Sequence, residues 1–426
     1  MFSQIPVILL LGAGLLALDI YLFGGLVAAF KKRAFFAKKG FRIAYFAFSV
    51  ILITATICCI YLKLPTGIRA GFLMVFFVLM IVKVTFLPFV LADDIRRLLV
   101  ELKRKKTSPA APSTTKTDKD AIPRSEFLMK AGLITGIVPL AGIGMGIYSG
   151  AYDYRVRRQV LYLPNLPKSF DGITIGQISD VHSGSFYNKK AVLGGIEMLL
   201  GQKPDVIFFT GDLVNKRSDE MYGYQDIFGK VKAPLGVFSI LGNHDYGDYY
   251  HEWPSAAAKR KNLDDLKATH KNMGWDLLLN ENRRLKVNGE EIGILGCENW
   301  GELTRFPKYG KMEPTVKGSD DLPVKLLLSH DPSHWRAQVL QKYPQIDVMF
   351  SGHTHGMQFG VRTDNFQWSP VEYVYKEWAG LYHQGNQQLY VNVGYGFLGF
   401  PGRVGILPEI TIFELKAIAD PALSKS

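Results

Sequence analysis

The sequence predicts an α/β protein in which N-terminal transmembrane helices precede a layered α/β-sandwich domain. Three observations carry this expectation. Apolar stretches of roughly bilayer-spanning length crowd the first 150 residues. Beyond Tyr154, short apolar runs alternate with helical ones between Gly, Pro and Asn, the pattern of layered strand and helix units. Charge divides at the same place: residues 1–160 hold 22 Lys/Arg against 8 Asp/Glu, and residues 161–426 hold 28 against 30.

The apolar stretches are four, at 5–30, 43–62, 71–92 and 127–148, and four spaced runs are not the pattern of a cleavable signal peptide. The expected organisation is three spans within 1–92, a linker at 93–126, a fourth span at 127–149 and the folded domain at 150–426. The linker carries Lys103-Arg104-Lys105-Lys106 and then a Ser/Thr/Pro/Ala-rich tract, which reads as flexible. Asp19 and Lys83 fall inside apolar runs, where a charge is costly unless paired or facing a polar path. The expectation is that they pair with each other.

The basic excess lies wholly beside the apolar runs, where cations flank a bilayer, and not on the folded domain. The partner it implies is the lipid bilayer, and no nucleic acid is expected. Lys31, Lys32, Arg33, Lys38, Lys39 and Arg42 follow the first run, and Arg96, Arg97 and 103–106 follow the third. With both segments cytoplasmic, the protein is integral to the cell membrane with residues 150–426 extracytoplasmic. Arg155, Arg157 and Arg158, directly after the fourth run, pull the other way. Cys58, Cys59 and Cys297 make neither a disulfide framework nor a CxxC metal site.

In the domain, 173–179, 205–210, 237–241, 324–329 and 347–351 read as buried strands, with helices at 188–200 and 255–273. Each strand delivers polar residues where it turns into a loop: Asp180-Val181-His182, Gly211-Asp212, Gly242-Asn243-His244-Asp245, His330-Asp331 and Gly352-His353-Thr354-His355. Sites in open α/β sheets form outside the carboxyl ends of strands, so the five sets are expected to converge. Asp, His and Asn suit Mn, Fe, Zn, Co or Ni, with no thiolate among them. Alone, each residue has an ordinary reading as a turn former, cap or core histidine; it is the joint arrangement that points to metal.

These blocks, D-x-H, G-D, G-N-H-D, H and G-H-x-H in order over about residues 170–415, resemble the calcineurin-like metallophosphoesterase superfamily. ISDVHSG, GNHDYG, LSHDPSHW, GHTHGMQ and RVGILPEIT are most similar to its membrane-associated bacterial phosphodiesterase branch. The resemblance implies two divalent metal ions, with Asp180, His182 and His355 on one and Asn243, His330 and His353 on the other. Asp212 would bridge them, and His244 would act as the catalytic group at the phosphate and leaving oxygen. Ions roughly 3.5–4 Å apart would activate a bridging hydroxide for in-line displacement. Asn215 departs from the acid usual in GDxxD, a position that supports rather than ligates.

The implied function is a membrane-anchored phosphohydrolase cleaving a phosphomonoester, phosphodiester or pyrophosphate of a lipid-linked or envelope substrate. The alternatives are a non-catalytic sensor or scaffold that retains the fold, and an accessory domain of a four-helix transporter. A nuclease is disfavoured by the acidic balance of residues 161–426. His251, His270, His334 and His383 lie outside the blocks and read as structural or exposed. Arg403 reads either as a bidentate substrate contact or as a solvated surface arginine. The aromatic-rich stretch 357–403, with Phe359, Trp368, Trp378, Phe397 and Phe400, reads as a cap or membrane-interface loop, or as core packing.

Overall fold

A computed structural model describes residues 5–61, 66–107, 124–363 and 365–417. The chain forms two compact units, Met1–Gly144 and Met145–Ser426.

The first unit contains α1 (Ile5–Ala29), α2 (Ala34–Ala37), α3 (Lys39–Tyr61), α4 (Thr66–Thr107) and most of α5 (Glu126–Tyr148). Four of these helices contain segments long and apolar enough to cross a bilayer: Gly12–Ala29, Lys39–Cys59, Val75–Arg104 and Glu126–Tyr148. Asp19 on α1 is fully buried and pairs with Lys83 on α4, its Oδ1 2.7 Å from Nζ, while accepting from the Tyr45 hydroxyl at 3.0 Å. An unpaired charge at that depth costs about 2.5–3.5 kcal/mol on insertion scales, so the pair is its own explanation. Paired in this way, Asp19 and Lys83 give the transporter reading no support.

The linker begins later than the composition suggested. α4 continues through Thr107, so the basic residues from Arg96 onward are helical. They are good helix formers, and Arg96 and Arg97 pair with Asp93 and Asp94 at i,i+3 spacing (2.9 and 3.3 Å). The Ser/Thr/Pro-rich tract at 108–123 lies outside the described residues. Lys31, just past α1, pairs with Glu126 of α5 at 3.3 Å, and Arg124 pairs with Asp94 of α4 at 3.0 Å. The basic ends of α1 and α4 therefore lie on one side of the helical unit.

The second unit is built on two six-stranded sheets. The first runs β1 (Arg155–Leu163), β14 (Glu409–Ala417), β2 (Thr174–Ile178), β3 (Val206–Phe209), β4 (Val237–Ser239) and β5 (Asp276–Leu277), parallel except where β14 meets β2. The second runs β12 (Gly380–Gln384), β13 (Gln387–Val391), β9 (Val348–Ser351), β8 (Lys325–Leu328), β7 (Glu290–Gly296) and β6 (Glu281–Val287). A short ribbon, β10 (Val361–Arg362) with β11 (Gln367–Trp368), stands apart. Helices α6 (Lys189–Gly201), α7 (Gln225–Phe228) and α8 (Ala256–Asn272) belong to the layer on the first sheet.

Strand alternation sorts the core. Val206 and Phe208 join the cluster between the sheets, with Leu326, Phe350 and Phe413. Ile207 and Phe209 point the opposite way, to Val192, Ile196 and Leu199 of α6 and Leu266 of α8. The rings of Phe208 and Phe350 meet edge to face across the interface at 5.1 Å, and losing either would cost about 3–5 kcal/mol. The sequence-predicted strands and helices lie where expected. Asn188 and Ser255 cap α6 and α8, accepting from Ala191 and Ala258 N–H.

Candidate metal centre

The five polar turns meet at one place, but from two sheets. β2, β3 and β4 of the first sheet end in Asp180/His182, Asp212 and Asn243/His244; β8 and β9 of the second end in His330 and His353/His355. Holding so many side chains inward strains the backbone: Asp180, His182, Asp212, His353 and His355 all adopt positive φ (49 to 75°), a region non-glycine residues rarely enter outside functional sites. Gly352 permits the approach, since a Cβ there would collide with Asp180 Oδ2 and Ser179 Oγ.

Two groups of ligand atoms result, Asp180/His182/His355 and Asp212/His330/His353. In the first, His182 Nε2 and His355 Nε2 lie 2.9 Å apart, and Asp180 Oδ1 is 3.2 Å from His355 Nε2. In the second, His353 Nδ1 lies 2.8 Å from Asn243 Oδ1. Asp212 Oδ2 joins the groups, at 3.5 Å from His182 Nε2 and 3.1 Å from His330 Nε2.

The surrounding hydrogen bonds orient each ligand. His330 Nδ1 meets the Thr210 carbonyl at 2.7 Å; a carbonyl only accepts, so Nδ1 carries a proton and Nε2 is the ring atom turned toward the site. That Nε2 is buried, with Asp212 Oδ2 3.1 Å away. Asn243 donates its amide to Tyr249 at 3.0 Å, which turns Oδ1 inward. His353 Nε2 is engaged by Tyr375 Oη at 2.9 Å, leaving Nδ1 for the site.

The electrostatics favour a cation. Burial alone would lower His330, yet the charge of Asp212 outweighs it and pushes the imidazole up to about 10, so without an ion a proton occupies the place beside Asp212 that a bound cation would take. Burial would likewise raise Asp212, but His330 and then His244 hold its carboxyl well below the usual range. Two buried groups of converging imidazole and carboxylate atoms, an all-nitrogen-and-oxygen donor set, fit divalent Mn, Fe, Zn, Co or Ni.

Beside the ligands, His244 is half-buried; its N–H donates to Asp212 Oδ1 at 2.8 Å and its Nδ1 meets the Asn215 carbonyl at 2.7 Å. The backbone of Asn215 makes that contact, so the missing acid at this position does not disturb it. Asp245 is a supporting residue that the motif alone did not mark. Its carboxylate accepts N–H groups of Gly242, Asp212, Leu213 and Val214 at 2.8–3.3 Å, tying the β3 and β4 turns together. Burial, then the charge of Asp212, push it up to about 7.

Arg403 departs from both of its sequence readings. It is 0% exposed, and its guanidinium is enclosed by the carbonyls of Gly396, Val393, Gly394 and Ile406, with Nη2 3.1 Å from His355 Nδ1. A guanidinium so committed cannot reach a substrate; it braces the loops behind His355. Arg305 is the more accessible cation. It lies 4.7 Å over Phe306, whose ring edge meets His353 at 4.7 Å. His270 and His334 are buried, while His251 and His383 are exposed. Trp378 and Phe397 pack in the core, whereas Phe359 is exposed.

Residues 173–357 match the family model "Calcineurin-like phosphoesterase". Residues 4–151 match "Probable Calcineurin-like phosphoesterase, transmembrane domain". The chain is 30% identical over 302 residues to the uncharacterised metallophosphoesterase YkuE of Bacillus subtilis, covering 69% of this chain and 98% of that protein. The chain belongs to the calcineurin-like phosphoesterase family. This calcineurin-like phosphoesterase is also similar to the transmembrane protein with metallophosphoesterase domain of Danio rerio, at 26% identity over 314 residues (71% of this chain, 66% of that protein). An uncharacterised metallophosphoesterase of Helicobacter pylori is 26% identical over 272 residues (63% and 66%). Like its family, the protein is a metal-dependent phosphoester hydrolase, and its four apolar helices make it a membrane protein.

Proposed function

We propose that the protein is a dinuclear-metal phosphohydrolase acting on a phosphomonoester, phosphodiester or pyrophosphate of a lipid-linked or envelope substrate, on the extracytoplasmic face. The observation that carries the dinuclear reading is Asp212 Oδ2, within 3.5 Å of an imidazole from each ligand group. On this reading Asp180, His182 and His355 hold one ion, Asn243, His330 and His353 the other, and Asp212 bridges. Two such ions supply Lewis-acid charge to the phosphoryl oxygens and an acidified water.

The chain's own residues do the rest. His244 keeps Nδ1–H on the Asn215 carbonyl, which turns Nε2 toward the site; on this reading Nε2 is the atom through which a proton would pass to the leaving oxygen as its bond to phosphorus breaks. Arg305 and Tyr249 offer donors to the non-reacting phosphate oxygens at the rim. Asp245 and Arg403 hold the ligand turns rigid from behind. The placement outside rests on the basic ends of α1 and α4 sharing one side of the helical unit, that side being cytoplasmic.

The test is an assay of the full chain in detergent with Mn²⁺ against phosphomonoesters, phosphodiesters, nucleotide-lipids and pyrophosphates. Metal-dependent turnover of one class names the bond; turnover of none by metal-loaded protein would leave a scaffold. Alkaline phosphatase fused after Ser426 is expected to be active if the domain is extracytoplasmic, and inactive fusions would reverse the placement.

A further inference from the structure

Just past the His353/His355 turn, the chain presents an apolar surface to solvent. Met357, Phe359, Val361, Phe366, Tyr373 and Val374 are all exposed, Phe366 at 60% and Tyr373 at 77%. They lie on and around the β10–β11 ribbon, where ordinary core packing does not account for them. So many exposed apolar side chains within one short stretch mark an interaction surface, and their aromatic content suits a membrane interface.

The base of the ribbon is tied to the end of the fourth span. Gly360 N–H donates to the Val404 carbonyl at 2.9 Å, and Val404 N–H to Gln358 at 2.8 Å. The adjoining Arg403 N–H donates to the carbonyl of Gly146 at 3.1 Å, within the last turn of α5. A side chain at Gly146 would collide with Arg403 and Val404, so the approach needs glycine. An apolar span ends at the bilayer boundary, here at Tyr148. Each hydrogen-bonded backbone step is about 5 Å, so the ribbon base lies roughly 10 Å from that boundary, within reach of the headgroup layer. Arg362 anchors the ribbon to Glu409 of β14 by an ion pair.

We infer that the surface around the β10–β11 ribbon is a lipid-docking element that seats in the bilayer beside the fourth span and brings the metal centre to the membrane surface. Its two ends join the site directly: Met357 is two residues past His355, and Val374 precedes Tyr375, whose hydroxyl meets His353. Resting on the phosphohydrolase reading above, the substrate class is an amphiphilic phosphoester whose acyl chains stay in the bilayer while its phosphate enters the site.

The test uses the full chain in phosphatidylcholine vesicles containing lipid with a doxyl quencher on the acyl chain. A bimane label is placed at Phe366→Cys, at Tyr373→Cys or, as a control on exposed Tyr222 (81%), at Tyr222→Cys. The parent chain labelled alike sets the background from Cys58, Cys59 and Cys297. Positions 366 and 373 should lose fluorescence as doxyl-lipid increases, and position 222 should not. Positions 366 and 373 as insensitive as 222, or shielded from iodide without doxyl quenching, as under a protein partner or a second copy, would overturn the docking. This readout needs no turnover, so it stands apart from any failure of the hydrolase assignment. For the substrate class, Phe366→Asp should lower hydrolysis of a vesicle-borne phosphoester by about tenfold while sparing a soluble nitrophenyl phosphodiester. Equal effects on both would overturn delivery from the bilayer.

Discussion

The Nδ1 atom of His244 lies 2.7 Å from the carbonyl oxygen of Asn215. That contact places a proton on Nδ1 and turns Nε2 toward the site, where the proposed reading has it pass a proton to the leaving oxygen instead of holding an ion. His244→Ala should therefore retain both ions by elemental analysis while kcat falls by about 10²–10⁴-fold. The loss should shrink for a nitrophenolate leaving group, which needs little protonation. Equal losses for good and poor leaving groups would assign His244 to phosphate binding instead.

Asp212 touches both ligand groups, so its removal should act on both ions. Asp212→Ala should leave less than one ion per chain and abolish most activity. Elemental analysis of the purified variant checks this, and full occupancy would end the bridging role.

Arg305 and Arg403 should separate cleanly. Arg305→Ala at the rim should raise KM by roughly tenfold, about one lost exposed charge contact, with metal content and melting temperature unchanged. Arg403→Ala should empty a buried guanidinium nest and leave several carbonyls unpaired, each costing about 1–3 kcal/mol. Its signature is a lowered melting temperature and weakened metal retention. A KM effect without a stability effect would restore Arg403 as a substrate contact.

Asp19 and Lys83 neutralise each other inside the helical unit. Either single replacement, Asp19→Asn or Lys83→Met, should lower folded yield in detergent more than Asp19→Leu with Lys83→Met together, because it strands one buried charge. Additive losses would contradict the pairing.

His270 sits at the packed face of β4, its Nδ1 3.0 Å from Ser239 Oγ, and burial pushes it down to about 3. His334 is likewise pushed down to about 4 by burial. A histidine near 6.5 when unfolded then binds protons more readily in the unfolded chain. The stability it contributes is complete above pH 6.5 and is lost as pH falls, at about 1.4 kcal/mol per unit for each group. His270→Gln keeps a hydrogen-bonding group without the titration, so its melting temperature should fall less steeply than the parent's between pH 6.5 and 5. Parallel slopes, measured on metal-free protein, would exclude His270 from the acid sensitivity.

The sequence by itself determined the apolar spans, the five buried strands and the seven candidate ligands with His244. Those properties are written locally: a span is a matter of length and hydropathy, and a ligand turn is a few consecutive residues after an apolar run. The helices predicted at 188–200 and 255–273 begin where expected because their caps, Asn188 and Ser255, bond within their own first turns. Tertiary structure alone decided what depends on residues far apart in the chain. The charged edge strand β1 finds a place only because β14, more than two hundred residues later, pairs with it. Nothing near Asp245 indicates that it collects N–H groups from two strand ends, since three of its four donors lie more than thirty residues away. Arg403 looked like a surface cation because one residue cannot reveal the loops that close over it, and burial is a property of those loops. The same holds for Phe366 and Trp378, both aromatic, one left in solvent and the other sealed in a core. Hydrophobicity sets what a side chain gains by burial, and packing decides whether there is anything to bury it against.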